Sequence, residues 1–331
     1  MIWYKEKNPE IIVSTRVRLA RNLADFPFPN ALLNKKEVTD KIKAAIFNSN
    51  STLSSDFEDA DFESISSAER IRLSEKHLVS PEMANKKDSA CLINKDKTMS
   101  IMIMEEDHIR EQVILGGYKL DEAYDICNKV DDVLSENLEF AFNENLGYLT
   151  ACPTNIGTGM RASVMMHLPA LSLTGKMDRI ISSARNVGIT VRGFYGEGTK
   201  ADGYFYQISN TITTGASETE IIQRVKNVVD QILNFEKESR EKILKDNKNE
   251  IEDRVYRSYG ALKYARKISS DEAIKLISDV LLGKNMGIIK EESVIPIMEL
   301  IVGISPAHIG QNELTADERD LSRSEMIRNN I

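Results

Sequence analysis

The chain has 331 residues, 41% of them apolar, enough for one large core or two of ordinary size. A net charge of -8 excludes a non-specific nucleic-acid binder, which needs a basic excess. Cys91, Cys127 and Cys152 lack CxxC spacing, no stretch reaches the roughly 18 apolar residues of a membrane span, and no apolar leader follows Met1, so a reduced, soluble, cytoplasmic protein is expected.

Residues 11–21 are predicted as a strand. Val13, Thr15, Val17 and Leu19 take one face; Ser14, Arg16 and Arg18 take the other. Two arginines side by side suit phosphate oxygens, because each guanidinium offers paired donors and a permanent charge. Taken alone, the pair also fits a solvated strand face. Residues 35–48 show helical spacing at Val38, Ile42, Ala45 and Ile46. The acidic, Ser-rich stretch 50–67 reads as a loop or an exposed helix face, with Ser66 and Glu69 as a capping box. His77 by itself fits a structural histidine. Residues 91–93 and 99–104 read as adjacent strands around a turn at 94–97. The second is continuously apolar at 101–104 and ends abruptly in Glu105-Glu106-Asp107-His108, with Arg110 beyond. Ionisable groups at the end of a buried strand are costly unless a cation pairs with them, which marks a site.

Residues 121–142 are predicted as one amphipathic helix, ended by Gly147. The stretch Cys152-Pro-Thr-Asn-Ile-Gly-Thr-Gly-Met-Arg161-Ala-Ser163 then organises the chain. Its first half is a turn in which Gly157 and Gly159 would let backbone approach a ligand closely. Its second half alternates as a strand, with Arg161 and Ser163 on one face. A thiol, backbone N–H groups and a guanidinium together suit an anionic ligand; a surface hairpin with a free thiol has the same pattern. Residues 170–186 are predicted helical. Residues 188–191 form a short strand entering Arg192 and a glycine-rich loop around Glu197, and 204–210 form another strand. A helix capped by Ser217 and Glu220 follows. Over 236–252 the composition turns to Lys, Glu, Asp and Asn, and a domain boundary is expected there. Helices follow at 252–267, 270–282 (closed at Gly283), 293–303 and after Thr315. The apolar run 295–302 suits a dimer surface or simple burial.

The sequence has no P-loop and no protein-kinase HRD or DFG motif. The stretches Ser14-Thr-Arg-Val-Arg-Leu-Ala-Arg-Asn22, Glu105-Glu-Asp-His-Ile-Arg110, Cys152 to Ser163 and Arg192-Gly-Phe-Tyr-Gly-Glu197 resemble the signatures of the phosphagen (guanidino) kinases. The resemblance implies an α+β fold: a largely antiparallel, glutamine-synthetase-like sheet flanked by helices over residues 1–240, then an all-helical domain over 241–331. Metabolic members carry a helical domain before the first strand, where this sequence has only residues 1–13. That layout resembles the bacterial protein-arginine kinases, whose acceptor is an arginine in a polypeptide. A metabolic kinase of free arginine and a catalytically silent phosphoarginine-binding adaptor are the alternatives.

By the same resemblance, ATP contacts fall on Ser14, Thr15, Arg16, Val17, Arg18, His77, Arg110, Arg161, Ala162, Ser163, Val164, Met165, Arg192, Gly193, Phe194, Tyr195, Gly196 and Glu197. Mg²⁺ is implied with the nucleotide, and no metal site built from protein ligands. Glu106 and Glu197 match the carboxylates that fix the acceptor guanidinium, one of them being the base. Cys152 matches the family's reactive thiol. Arg319, Asp320, Arg323 and Ser324 are similar to an RDxxRA motif that binds phosphoarginine allosterically, with Ser324 where the family has Ala. The implied partners are arginine-containing protein substrates (unfolded proteins and a stress-response repressor), a zinc-binding activator protein, a Clp unfoldase–protease and a second copy in a homodimer. Neither nucleic acid nor membrane is among them.

Overall fold

The computed structural model describes residues 2–60, 62–193, 202–310 and 314–331. In chain order the strands are β1 (Ile12–Arg21), β2 (Phe57–Asp59), β3 (Ala90–Asn94), β4 (Met99–Ile103), β5 (Ile109–Gly116), β6 (Phe142–Asn143), β7 (Gly147–Tyr148), β8 (Met160–His167), β9 (Ile189–Gly193) and β10 (Phe205–Asn210). Eight of them form one sheet in the order β2-β3-β4-β5-β1-β8-β10-β9, and β6 pairs with β7 alone. The chain divides into two units. One comprises Met1–Trp3, Ser14–Ser163 and Ser209–Lys226; the other comprises Tyr4–Val13, Val164–Ile208 and Asn227–Ile331.

In the first unit, β2/β3, β3/β4, β4/β5 and β5/β1 all pair antiparallel. Every residue of β4 is buried, as its unbroken apolar run requires of an interior strand. Helix α1 (Lys35–Phe47), capped by Asn34, buries Val38, Ile42, Ala45 and Ile46. The acidic stretch after it is more structured than its composition suggests. It forms α2 (Leu53–Asp56) and the edge strand β2, because Phe57 and Phe62 are drawn into the core. Helices α3 (Ser67–Glu75), capped by Ser66, and α4 (Pro81–Ala84) follow. Phe62, Val79, Met83, Ala84, Cys91 and Met102 pack together there.

Helix α5 is Leu120–Ser135, shorter than its periodicity predicts. Residues 139–141 leave the helix to pair with the chain that follows β1: Ala24 N–H donates to Glu139 O and Ala141 N–H to Asn22 O, at 2.9 and 2.7 Å. Tertiary strand pairing overrides helical spacing at that point. Gly147 accordingly lies in β7 and caps no helix.

In the second unit, the predicted 170–186 helix is two helices, α6 (Pro169–Leu173) and α7 (Met177–Asn186), broken where Gly175 takes φ +68°. Helix α8 (Glu218–Asp246) continues through the polar stretch from 236. Glu236 is fully buried and pairs with Arg240 one turn on at 2.8 Å. It also accepts the N–H groups of Ala170 and Leu171 at 3.1 and 2.9 Å, so its charge is satisfied from both elements. Helices α9 (Lys248–Tyr264) and α10 (Ser270–Asn285) cross at Gly283, where an added Cβ would sit 2.3 Å from Val255 Cγ1. Gly283 is therefore a contact point, and α10 runs past it. Helices α11 (Ile297–Gly303), α12 (Pro306–Ile309) and α13 (Ala316–Asn330) complete the unit, the last with a Thr315/Glu318 capping box. Ile297, Met298, Leu300, Ile301 and Val302 are buried, so most of the apolar run 295–302 is covered by its own chain. Among the described residues, no helix is long and apolar enough to cross a membrane.

Gly157 and Gly159 have φ of +110° and +64°. A Cβ on Gly157 would meet Thr213 O at 2.2 Å, and one on Gly159 would meet Ala20 O at 2.5 Å. These glycines admit neighbouring protein backbone where the sequence suggested a ligand. Gly157→Ala should lower the unfolding free energy by about 2 kcal/mol or more, because it adds a clash to a backbone conformation that alanine resists. Urea unfolding checks this; an unmoved midpoint contradicts it.

Candidate active site

The β1/β5 register decides which side chains share a face. Arg16 lies opposite Ile114, Arg18 opposite Gln112 and Ala20 opposite Arg110. Residues directly opposite project the same way, so Arg16, Arg18 and Arg110 rise from one face of the sheet. β8 enters on the other side of β1, where Ser163 Oγ donates to Arg16 O at 3.2 Å. Arg161, two residues earlier, lies close enough for its charge to act on both Arg16 and Arg18. Burial, then repulsion from Arg110 and Arg161, pulls the Arg16 pKa down to about 9. Arg18 is lowered by burial and then by Arg16, Arg110 and Arg161. The Nε atoms of both are buried without a hydrogen-bond partner. Crowded guanidinium groups with unused donors are the chemistry of a polyanion site, phosphate above all.

His77 stands at the edge of this cluster. Its carbonyl accepts from Gln112 Nε2 at 2.6 Å, the residue across from Arg18. Its backbone is left-handed, φ 62°, and Trp3 packs edge-on to its ring at 5.3 Å. Trp3 Nε1–H donates to Lys76 O at 3.0 Å, which fixes the turn. Neither Trp3 nor Gln112 is foreseen from the sequence.

The turn between β4 and β5 carries three acids with three different fates. Met104 takes φ 62° to make the turn, and its N–H donates to His108 O at 3.1 Å. Glu105 points inward and pairs with Arg110 at 2.6 Å. Burial alone would raise its pKa, but Arg110, Ser80 and the Glu106 N–H hold it below the usual range. Asp107 is buried, and its Oδ1 accepts from Asn22 Nδ2 and from the Ala151 N–H, each at 2.6 Å. Asn22 Oδ1 in turn accepts the His108 N–H at 2.9 Å, and His108 Nδ1 accepts the Leu23 N–H at 3.1 Å. These bonds fasten the acidic turn to the residue just before Cys152. Glu106 is left exposed, and the Cys152 thiol hydrogen-bonds its carboxylate. Burial, then Asp107 and Glu105, raise the Glu106 pKa against the pull of Arg110 and Cys152. Cys152 Sγ also lies 3.0 Å from Thr154 Oγ1. Cys91 and Cys127 are buried, leaving Cys152 as the partly exposed cysteine.

Ser14, Thr15, Val17 and Ala162 are buried within their strands. Val164 and Met165 are buried residues of β8 in the second unit. In that unit Arg192 is exposed near the end of β9, and Gly193 is buried. Phe194, Tyr195, Gly196 and Glu197 lie outside the described residues. On α13, Arg319 Nη1 donates to Leu314 O at 3.0 Å. Arg323 is 2% exposed; its donors reach Ile304 O and Ile268 O, both at 3.0 Å, and the Asp320 carboxylate. Ser324 Oγ donates to Leu321 O at 2.7 Å. Among the described residues, no group of three or more His, Cys, Asp or Glu is placed to hold a metal ion.

A family model for the C-terminal catalytic domain of ATP:guanido phosphotransferases matches residues 37–239. The chain belongs to the ATP:guanido phosphotransferase family. Within it, a second model, the C-terminal domain of the protein-arginine kinase McsB, matches residues 248–331. The chain is 44% identical to a protein-arginine kinase of Caldanaerobacter subterraneus subsp. tengcongensis, covering 96% of both chains. It is 47% identical to one of Pelotomaculum thermopropionicum, covering 98% of this chain and 94% of that one. Among solved structures, lombricine kinase superposes with a TM-score of 0.61 at 26% identity, over 70% of this chain and 68% of that one. The duplicated taurocyamine kinase of Schistosoma mansoni gives 0.59 at 30% identity, over 68% of this chain and 33% of that one.

His77 supplies a test of the cluster's electrostatics. Burial and then Arg16 push its pKa down to about 3. The unfolded value is about 6.5, so between the two the unfolded chain takes a proton that the folded chain refuses, and stability falls as pH drops from 6.5 towards 3. Asparagine tolerates left-handed backbone but does not titrate, so His77→Asn should flatten the fall in urea midpoint between pH 7 and about 5. An equal slope in both proteins contradicts the assignment.

Proposed function

We propose that this chain is a protein-arginine kinase, which moves the γ-phosphoryl group of ATP to a terminal guanidino nitrogen of arginine residues in proteins. The observation that carries this is Glu106, hydrogen-bonded by Cys152 and acted on by Arg110, a member of the cluster in which the buried Nε atoms of Arg16 and Arg18 lack partners. The similarity to protein-arginine kinases over nearly the whole chain directs the choice of acceptor to a polypeptide, and favours neither a free-arginine kinase nor a silent adaptor.

Arg16, Arg18, Arg110 and Arg161 bind the nucleotide phosphates, with Ser14, His77 and Ser163 on that side and Arg192 to Glu197 added from the later motif; Thr15, Val17, Ala162 and Val164 alternate to the other faces of their strands and serve by holding them in place. The donor set is cationic throughout and fits phosphate oxygens. Mg²⁺ would come with the nucleotide, whose phosphates these arginines hold. When bound, Mg²⁺ would supply neutralisation of phosphate charge. The arginines hold the transferring group in line.

The acceptor guanidinium is protonated at neutral pH and its lone pairs are delocalised. Glu106 and Glu197 grip it and align one terminal nitrogen. As the N–P bond forms, the bond from γ-phosphorus to the bridging oxygen breaks and ADP leaves. The proton on the attacking nitrogen passes to a carboxylate; the raised pKa of Glu106 suits that task. Cys152 positions and polarises the guanidinium and is not itself phosphorylated.

Residues 1–240 act as the catalytic part and 241–331 as a regulatory part. Phosphoarginine binds through Arg319, Asp320, Arg323 and Ser324, with half-exposed Arg319 making first contact. The further partners are those of a proteolytic stress pathway: unfolded proteins and a repressor as substrates, a zinc-binding activator, a Clp unfoldase–protease, and a second copy of the chain. The setting is the cytoplasm.

Glu106→Gln should abolish transfer, a loss of at least about a hundredfold in kcat, while leaving MgATP affinity near wild type. The readout is mass spectrometry of a model protein substrate, under conditions that preserve N–P bonds. Near-wild-type labelling by Glu106→Gln contradicts its role; no labelling by the wild-type chain contradicts the activity.

A further inference from the structure

We infer that Arg21 is a positioning residue for the proposed phosphoryl transfer: one buried guanidinium clamps both ends of the loop that carries Cys152 and ties them to α5. The inference rests on the proposed kinase reading for its effect on rate, but its geometry stands independently.

Arg21 is the last residue of β1 and is 2% exposed. Its Nε and Nη2 grip Asp131 on α5, at 3.0 Å to Oδ1 and 2.7 Å to Oδ2. Its Nη1 turns the other way and donates to Ala20 O and Thr158 O, both at 2.9 Å. Its plane lies over the Tyr148 ring, 3.6 Å from the centroid. Tyr148 and Thr158 flank the Cys152 loop, one on each side. Between them Tyr148 and Gly157 exchange backbone hydrogen bonds at 2.8 and 3.2 Å, closing the loop at its base. Gly159 completes the fit, since a Cβ there would lie 2.6 Å from Arg21 Nη1.

The donors are thus directed to α5, to β1 and to the far end of the loop, while the ring beneath comes from its near end. A flexible ammonium cannot reproduce this planar fork. Glu111, fully buried on β5, is pushed well up by burial and then by Asp131, and the side-chain bonds of Arg21 go to Asp131. Arg21 belongs to the same motif as Arg16 and Arg18 but projects from the opposite face of β1, away from the cationic cluster. Its charge is neutralised by Asp131 and serves the loop, not the nucleotide.

Arg21→Lys keeps the charge opposite Asp131 and loses the fork. In the full-length chain with MgATP and a protein substrate, kcat should fall by roughly a hundredfold, as misplacing a reacting group by about an ångström does, with KM for ATP within about twofold. The rate of Cys152 alkylation by iodoacetamide, read by peptide mapping, should change at least about threefold, because thiol reactivity follows its immediate surroundings. Should Arg21→Lys fail to fold, Tyr148→Leu removes the ring and leaves the buried pair intact, with the same directions expected. A folded variant that keeps wild-type kcat or the wild-type alkylation rate overturns the inference. A wild-type chain that leaves arginine unphosphorylated overturns the kinase reading instead, and alkylation still decides the clamp.

Discussion

Like charges held together in a partly buried place are unfavourable, and the arginine-bearing face of this protein is built on that condition. Four arginines converge around β1, and Glu105, the acid whose charge reaches Arg18, is already bound to Arg110. Partial burial removes water that would screen their repulsion. The rest of the first unit holds them there regardless. β1 is interior to the sheet, its other face is buried, and its register with β5 leaves the arginines no alternative direction. On the proposed function, a nucleotide's phosphates would satisfy the unused donors and relieve the repulsion together.

The acidic turn applies the opposite logic to neighbouring residues. Glu105 is neutralised, Asp107 is absorbed into a hydrogen-bond network with Asn22 and Ala151, and Glu106 alone remains exposed beside a thiol. The two buried acids fix the backbone from which Glu106 projects. A guanidino acceptor needs this arrangement, since a loosely held carboxylate would pair with the nearby arginines. Clamping of the Cys152 loop by Arg21 extends the same principle to the other wall of the site.

Much of this was legible in the sequence. Alternation in β1 identified the face bearing Arg16 and Arg18, and the apolar run at 101–104 marked an interior strand whose charged end had to matter. The four motifs named the family, and the two matching family models agree with them. What escaped were partners distant in sequence. The Asn22–Asp107 bond joins residues 85 apart and leaves no periodic trace. Arg21 and Asp131 are 110 apart, and in the sequence Arg21 looks like one more arginine of a cationic strand. The glycines of the Cys152 loop were read for a ligand because φ > 0 is foreseeable, whereas the identity of the atom that fills the vacant Cβ space is not. The helix predicted over 121–142 ends early because residues 139–141 pair with the segment after β1, which apolar spacing cannot reveal.

If repulsion among these arginines is the price of nucleotide binding, removing one charge should stabilise the empty protein and weaken its ligand. Arg18→Met, which keeps the side chain's apolar bulk, tests this in a single pair of measurements: urea unfolding without ligand, and calorimetric MgATP affinity. The expected result is an unfolding midpoint above wild type together with an affinity lower by roughly ten- to a hundredfold, the range for losing a charged hydrogen-bonding partner. An Arg18→Met protein that unfolds earlier than wild type while binding MgATP equally well would contradict the claim.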